Sequence, residues 1–190
     1  MNNKHLNVEI RHAELKHIPG MLAVCAQNLL SDPKPTEIEL NKTGFLIHQL
    51  TEEAIKVAIL NRKEHIVLVA TEDESVLAYA LGKNVTELGP KIRTALIASS
   101  KEVERVTQSE KVFFYRQAAK KVGVHHVGLQ ISKAMFNEMK RQGYQYNLSV
   151  IVHHPIPNTK SIRFHAQFGF QCVGTLTMNH YTFGVYLTRL

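Results

Sequence analysis

Histidine and glycine carry most of the chemistry this sequence could perform. His125-His126-Val127-Gly128-Leu129-Gln130 stands between a β-favouring run, 112–119, and an amphipathic run beginning near Leu129. The second run sets Ile131, Ala134, Met135 and Met139 on one apolar stripe, with Lys140 and Arg141 in its last turn and Gly143 as the stop. The order predicted is strand, short loop, helix. A helix that opens straight from a loop presents unpaired N–H groups and the positive end of its dipole, which together suit an anion. Gly128 would let the backbone approach a phosphate with no side chain in the way. One glycine in this position equally suits an ordinary tight turn, and both readings stand here.

Eleven histidines also raise the question of a metal. His125, His126, His153, His154 and His165 lack His-x-x-x-His spacing and any acid-bearing ligand motif, so no metal site is expected. Cys25 and Cys172 lie far apart without ligand spacing, and Cys172 is expected in the core on a late strand.

The elements that must position these residues follow in order. Residues 8–12 alternate as a first strand, and 13–30 read as a helix with Pro19 in its first turn. The breaker 31–35 leads to a short helix at 36–42 and an apolar segment at 44–50. Thr51 with Glu52 and Glu53 caps a helix reaching Arg62. Residues 65–70 and 76–81 make a hairpin around a polar turn. The segment 86–110 is loosely helical, with Ile92, Leu96 and Val103 as its apolar members. It reads either as a cover for a substrate pocket or as a surface insertion. Residues 146–152 form a strand ending in His153 and His154, Asn158 caps a helix through Gln167, and 170–177 with 181–187 close the chain as a hairpin.

No apolar run is long enough to span a membrane, and no secretory segment opens the chain, so a reducing cytoplasm is the expected compartment. The length suits one domain, 1–190. A formal net charge of +7 asks for an anionic partner, but the basic residues are dispersed and lack a basic arm or aromatic platform. Nucleic acid is therefore not favoured, and a small, highly anionic ligand fits the charge equally well.

This order of elements resembles the fold of the GCN5-related N-acetyltransferases, the GNAT superfamily. His125-x-x-Gly128-x-Gln130 is similar to that family's Arg/Gln-x-x-Gly-x-Gly/Ala, with His125 and Gln130 as departures. Asn158-Thr-Lys-Ser161, continuing to His165 and then Gly169-Phe170, is similar to its Asn-x-x-Ala-x-x-x-Tyr followed by Gly-Phe. The likeness covers nearly the whole chain and extends to a poorly characterised bacterial branch.

The resemblance implies an α/β fold: a mixed central sheet with a splay between strands 4 and 5, and helices on both faces. It implies acetyl-CoA as co-substrate and transfer to a small-molecule amine or exposed amino group by direct attack in a ternary complex. The alternative is a non-catalytic acyl-CoA-binding sensor or interaction module of the same fold. The pantetheine arm would lie on Ala118, Ala119 and Lys120. The pyrophosphate would lie on His125, His126, Val127, Gly128, Leu129, Gln130, Ile131 and Ser132, and Asn158 would stand at the thiol end. Lys133 or Lys160 would reach the 3′-phosphate. His165 replaces a thiol-protonating Tyr, or else packs beneath the cofactor arm, and His153 or His154 would accept the amine proton. The acceptor amine and the oligomeric state, a homodimer included, stay open.

Overall fold

A computed structural model describes residues 8–30 and 44–190. The expected helix at 36–42 lies outside the described residues. Among the described residues seven strands form one sheet: β1 (Glu9–His12), β2 (His65–Glu72), β3 (Ser75–Asn84), β4 (Val112–Lys120), β5 (Tyr146–His154), β6 (Gln171–Met178) and β7 (Tyr181–Arg189). Their order is β1-β2-β3-β4-β5-β7-β6. Among the described residues six α-helices join them: α1 (Ile18–Asn28), α2 (Glu52–Leu60), α3 (Pro90–Ala98), α4 (Lys101–Ser109), α5 (Val127–Arg141) and α6 (Thr159–Ala166). The expected α/β order is therefore present, with α3 and α4 added between the hairpin and β4.

The described residues fall into two compact units. The first takes in 8–29, 48–81 and 117–138. A 3-10 turn at Leu15–His17 leads into α1, with Pro19 in the helix's first turn, where its missing N–H costs nothing. Thr51 caps α2 as expected, its hydroxyl accepting from the Ala54 N–H. Met21, Val24 and Cys25 of α1, with Ile55 and Ile59 of α2, are buried. β2 is buried through most of its length because Ile66-Val-Leu-Val-Ala70 has no polar face. Asp73 and Glu74 take left-handed conformations in the β2–β3 turn. There Glu74 receives the Arg11 guanidinium at 2.9 Å and the Lys16 ammonium at 2.9 Å, and these cations hold its carboxyl at about 2.

The second unit takes in Leu30, 44–47, 82–116 and 139–190. Its core joins Leu96 of α3, Val103 and Val106 of α4, Phe114 of β4, Leu148 and Val152 of β5, Leu176 of β6, and Phe183, Val185 and Leu187 of β7. The 86–110 segment is thus neither a surface insertion nor only a cover: it supplies core side chains. Ile92, expected among its apolar members, is exposed instead. Gly82 belongs to β3, and a Cβ there would run into the Phe113 ring and the Phe114 carbonyl oxygen, so only glycine fits. Phe113 meets Tyr144 edge-on, ring centroids 5.1 Å apart.

β4 and β5 are parallel, in a register that pairs Val112 with Tyr146, Phe113 with Asn147 and Phe114 with Leu148. Among the described residues no further β4–β5 pair follows, although β4 runs on to Lys120 and β5 to His154. Past the last pair, the Ser149 hydroxyl donates to the Tyr115 carbonyl at 3.2 Å, a side chain taking over where the backbone ladder stops.

Gly82→Ala is expected to lower stability by about 3 kcal/mol, because the new methyl overpacks against backbone that cannot yield. Urea unfolding, read as a shift in midpoint at unchanged slope, checks it.

Candidate functional site

In the first unit, β4 leaves the sheet at Lys120 and the chain turns through Gly123 (φ +83°) into α5. Helix α5 starts at Val127, two residues earlier than its periodicity predicts. The residue forced into a left-handed conformation is His126 (φ +65°), a type that tolerates this region better than most. That twist turns the Val127 N–H back to the His125 carbonyl at 2.8 Å, and the Gln130 N–H to the His126 carbonyl at 3.3 Å. The Gly128 and Leu129 N–H groups keep no protein acceptor among the described residues. Gly128 itself has no left-handed φ, so the turn does not need it; what glycine provides is bareness. A Cβ there would meet only the Lys120 side chain, at 3.7 Å.

Two helix residues hold this loop in place, and neither is evident from the sequence. Asn28, the last residue of α1, donates to the Lys120 carbonyl at 3.0 Å, and the Gln27 side-chain oxygen accepts from the Val122 N–H at 3.2 Å. The Lys121 N–H donates to the Leu77 carbonyl at 2.7 Å. A helix-terminal Gln-Asn pair is too common for sequence alone to mark it. The remaining predicted residues divide by exposure. His125, His126, Leu129 and Gln130 are exposed, so Gln130 does not crowd the bare amides; Val127, Ile131 and Ser132 are buried and can offer a ligand only their backbone. Ala118 is exposed although it sits inside a strand. Lys133 and Lys160 are solvated.

In the second unit, His153 and His154 belong to β5 itself. The β5–β7 register shifts between Val152 and His154, which places His153 in a bulge. His154 is exposed and paired with Thr182. The half-buried His153 ring lies over Gly184, where a Cβ would stand 2.5 Å from its Cε1 and Nε2. Its Nε2 is 2.8 Å from the Tyr186 hydroxyl, and the two rings meet edge-on. Burial pushes the Tyr186 phenol up to about 12, with the Cys172 sulfur beside it adding to the shift, so Tyr186 stays protonated. Cys172 is exposed, against the expectation of a core thiol: the bulge between Cys172 and Gly174 leaves its Sγ toward the Gly174 carbonyl at 3.5 Å.

Asn158 and His165 are each engaged by neighbours in their own unit. Asn158 is buried; its Oδ1 accepts from the Ser161 N–H at 3.2 Å and its Nδ2 donates to the Phe45 carbonyl at 2.8 Å. It is a helix cap and a clamp on the 44–47 segment. His165 packs among Tyr115, Phe164 and Phe170, with the Phe170 centroid at 4.9 Å. Its Nδ1 is 2.8 Å from the Ser161 carbonyl, which can only accept, so Nδ1 holds the proton. Burial lowers its pKa, and the Ser161 carbonyl opposes this more weakly. A neutral imidazole with a committed Nδ1–H has no proton to give a departing thiolate. Packing beneath neighbouring rings is the role its contacts fit.

No family model and no curated protein matches this sequence. Solved structures do. An N-acetyltransferase from Staphylococcus aureus covers 96% of this chain and 98% of its own at TM-score 0.63 and 16% identity. Ard1 from Thermoplasma volcanium covers 96% and 97% at 0.64 and 14%. PaiA N-acetyltransferase from Thermoplasma acidophilum, solved with coenzyme A, covers 97% and 99% at 0.62 and 12%. The chain has the GNAT fold. Within it, Ala118, Ala119 and the α5 amides belong to one compact unit, and His153, Asn158 and His165 to the other. Among the described residues no group of three His, Cys, Asp or Glu side chains is arranged to hold a metal ion.

Two substitutions test these contacts. Asn158→Ala removes a cap and leaves the buried Phe45 carbonyl unpaired, at a cost of about 2 kcal/mol in chemical unfolding. His165, with a folded pKa below the ordinary 6.5, binds its proton less well folded than unfolded. Its contribution to stability is therefore full above about pH 6.5 and is lost as the pH falls below that value. His17, lowered mainly by burial, acts in the same sense. Thermal melts between about pH 7.5 and 5 should show His165→Phe losing less stability on acidification than the parent.

Proposed function

We propose that this protein is an acetyl-CoA-dependent N-acetyltransferase acting on a small-molecule amine or an exposed amino group. The bare start of α5 carries the reading: two adjacent amides without acceptors, at the positive end of a fifteen-residue helix, beside a lysine. These groups suit a diphosphate. The exposed Ala118 and the early end of the β4–β5 ladder suit an amide-bearing arm, since a strand edge without a partner needs donors and acceptors from elsewhere. Bound acetyl-CoA would supply an activated acyl carbonyl and a thiolate leaving group.

The residues then take distinct tasks. Gly128 and Leu129 N–H groups, with the Lys120 ammonium, hold the diphosphate. Ala118 and Ala119 hold the pantetheine amides, while Asn28 already occupies the Lys120 carbonyl. His153 accepts the proton that the attacking amine loses, being half-buried in a strand bulge, where His154 is exposed and His165 neutral and packed. Residues 1–190 work as one acyltransferase domain, since β3 and β4 each contribute to both units. Among the described residues no helix is long and apolar enough to cross a membrane, and two free thiols suit the reducing cytoplasm.

The neutral His165 favours a second reading, an acyl-CoA-binding sensor without turnover. Calorimetric titration of CoA together with CoA-release assays on an amine panel separates the two. Binding with turnover supports the enzyme, and binding without turnover supports the sensor. Gly128→Asp sets a carboxylate against the diphosphate and should weaken CoA binding by about 100-fold or more. Wild-type affinity in that variant would remove the α5 amides from the site.

A further inference from the structure

In the first unit, helix α1 touches the far end of β4 at two places. Cys25 and Asn28 stand three residues apart and so share one face of the helix. Cys25 meets Gln117, whose Nε2 donates to the sulfur at 3.5 Å and to the Tyr79 hydroxyl of β3 at 2.7 Å. Asn28 meets the main chain three residues further along the strand. Its Nδ2 donates to the Lys120 carbonyl at 3.0 Å and back to the Val24 carbonyl of its own helix at 2.8 Å. Ala118 and Ala119 lie between the two contacts. We infer that Gln117 is a positioning residue: with Asn28 it splints Ala118 and Ala119 against α1, so that the pantetheine arm meets a strand already held in place. This rests on the contact proposed above between these two alanines and acetyl-CoA.

The strand pairing creates the need for such a splint. Among the described residues the β4–β5 ladder ends with Phe114 and Leu148, so Gln117 lies three residues beyond the last pair. A strand with a neighbour on one side only has fewer contacts to hold its end still. Gln117 is 9% exposed between the exposed Arg116 and Ala118, so its side chain points into the unit and away from any ligand on their face. Both hydrogens of its amide are used, one on an adjoining strand and one on a helix. Tyr79 and Cys25 are fully buried, and the sulfur also accepts from the Leu50 N–H at 3.5 Å, which fixes where Gln117 finds it. An apolar residue at 117 would fill the space and tie β4 to neither partner. Asn28 likewise spends both amide hydrogens, and its bond to Val24 braces the reach to Lys120. A strand ordered before the ligand arrives raises affinity, because binding no longer has to order it.

Calorimetry with two probes separates positioning from general support of the fold. One probe is CoA; the other is adenosine 3′-phosphate 5′-diphosphate, which carries the diphosphate but no pantetheine. Gln117→Met, close in volume and without the amide, should weaken CoA binding by about tenfold and leave the nucleotide's affinity as in the parent. Backbone relaxation of the full chain without ligand gives a second readout. In Gln117→Met the Ala118 and Ala119 amides should lose order while those of α5 keep it. Parental CoA affinity in Gln117→Met, an equal loss for both probes, or unaltered order at 118 and 119 would each overturn the inference. Should Gln117→Met fold poorly, Cys25→Ala cuts the helix contact alone and is judged by the same outcomes. A parent that binds neither probe, yet loses order at 118 and 119 on substitution, would sink the acetyl-CoA reading alone and leave the splint standing.

Discussion

Main-chain groups that the chain does not itself satisfy are the constraint behind the rest of this structure. A backbone amide or carbonyl shielded from water must find a partner, and β4 gives up its β5 partner after Phe114. The protein answers part of that demand with side chains. Ser149 takes the Tyr115 carbonyl, Asn28 the Lys120 carbonyl and Gln27 the Val122 N–H. Where the answers stop, at the Gly128 and Leu129 amides in the first turn of α5, the described chain presents polar backbone that suits phosphate oxygens.

That distinction explains what the sequence made legible. The alternation of 8–12, the stripe of α5 and the Thr51 and Asn158 caps are local signals, and each element formed within a few residues of its expected place. Asn158 was read correctly as a cap, but its grip on Phe45 joins residues more than a hundred positions apart, and no local pattern announces such a contact. Of the two readings open for Gly128, the bare approach and the tight turn, the left-handed turn falls to His126 instead. Glycine is the residue that permits a left-handed turn, yet here histidine takes it and glycine stays bare. Composition indicates which residue tolerates a conformation most easily, and packing decides which one adopts it. The bulge at His153 has no sequence mark, because an extra residue in a strand looks like any other.

Five histidines singled out by residue type prove chemically unlike one another. His125 and His126 are exposed in a loop where main-chain groups face the proposed anion. His154 is solvated, and His165 is neutralised by burial and tied to its own helix. Only His153 is both half-buried and hydrogen-bonded to a buried phenol across the sheet. An imidazole offers several roles at neutral pH, and the neighbours select among them: a carbonyl fixes one nitrogen, a phenol another, and burial removes the charge.

The same reasoning accounts for a fold retained at 12 to 16% identity to the solved structures compared. If side chains held the diphosphate, replacing the resemblance's Arg or Gln by His125, and its small residue by Gln130, would disable the site. Amides held by a helix start do not depend on those identities. They need a bare residue at 128, an anchored exit from β4 and a helix behind them, and many sequences meet these terms. A site built of backbone, as proposed for the start of α5, would leave the side chains around it free to drift, so sequence likeness would fade while the fold is kept.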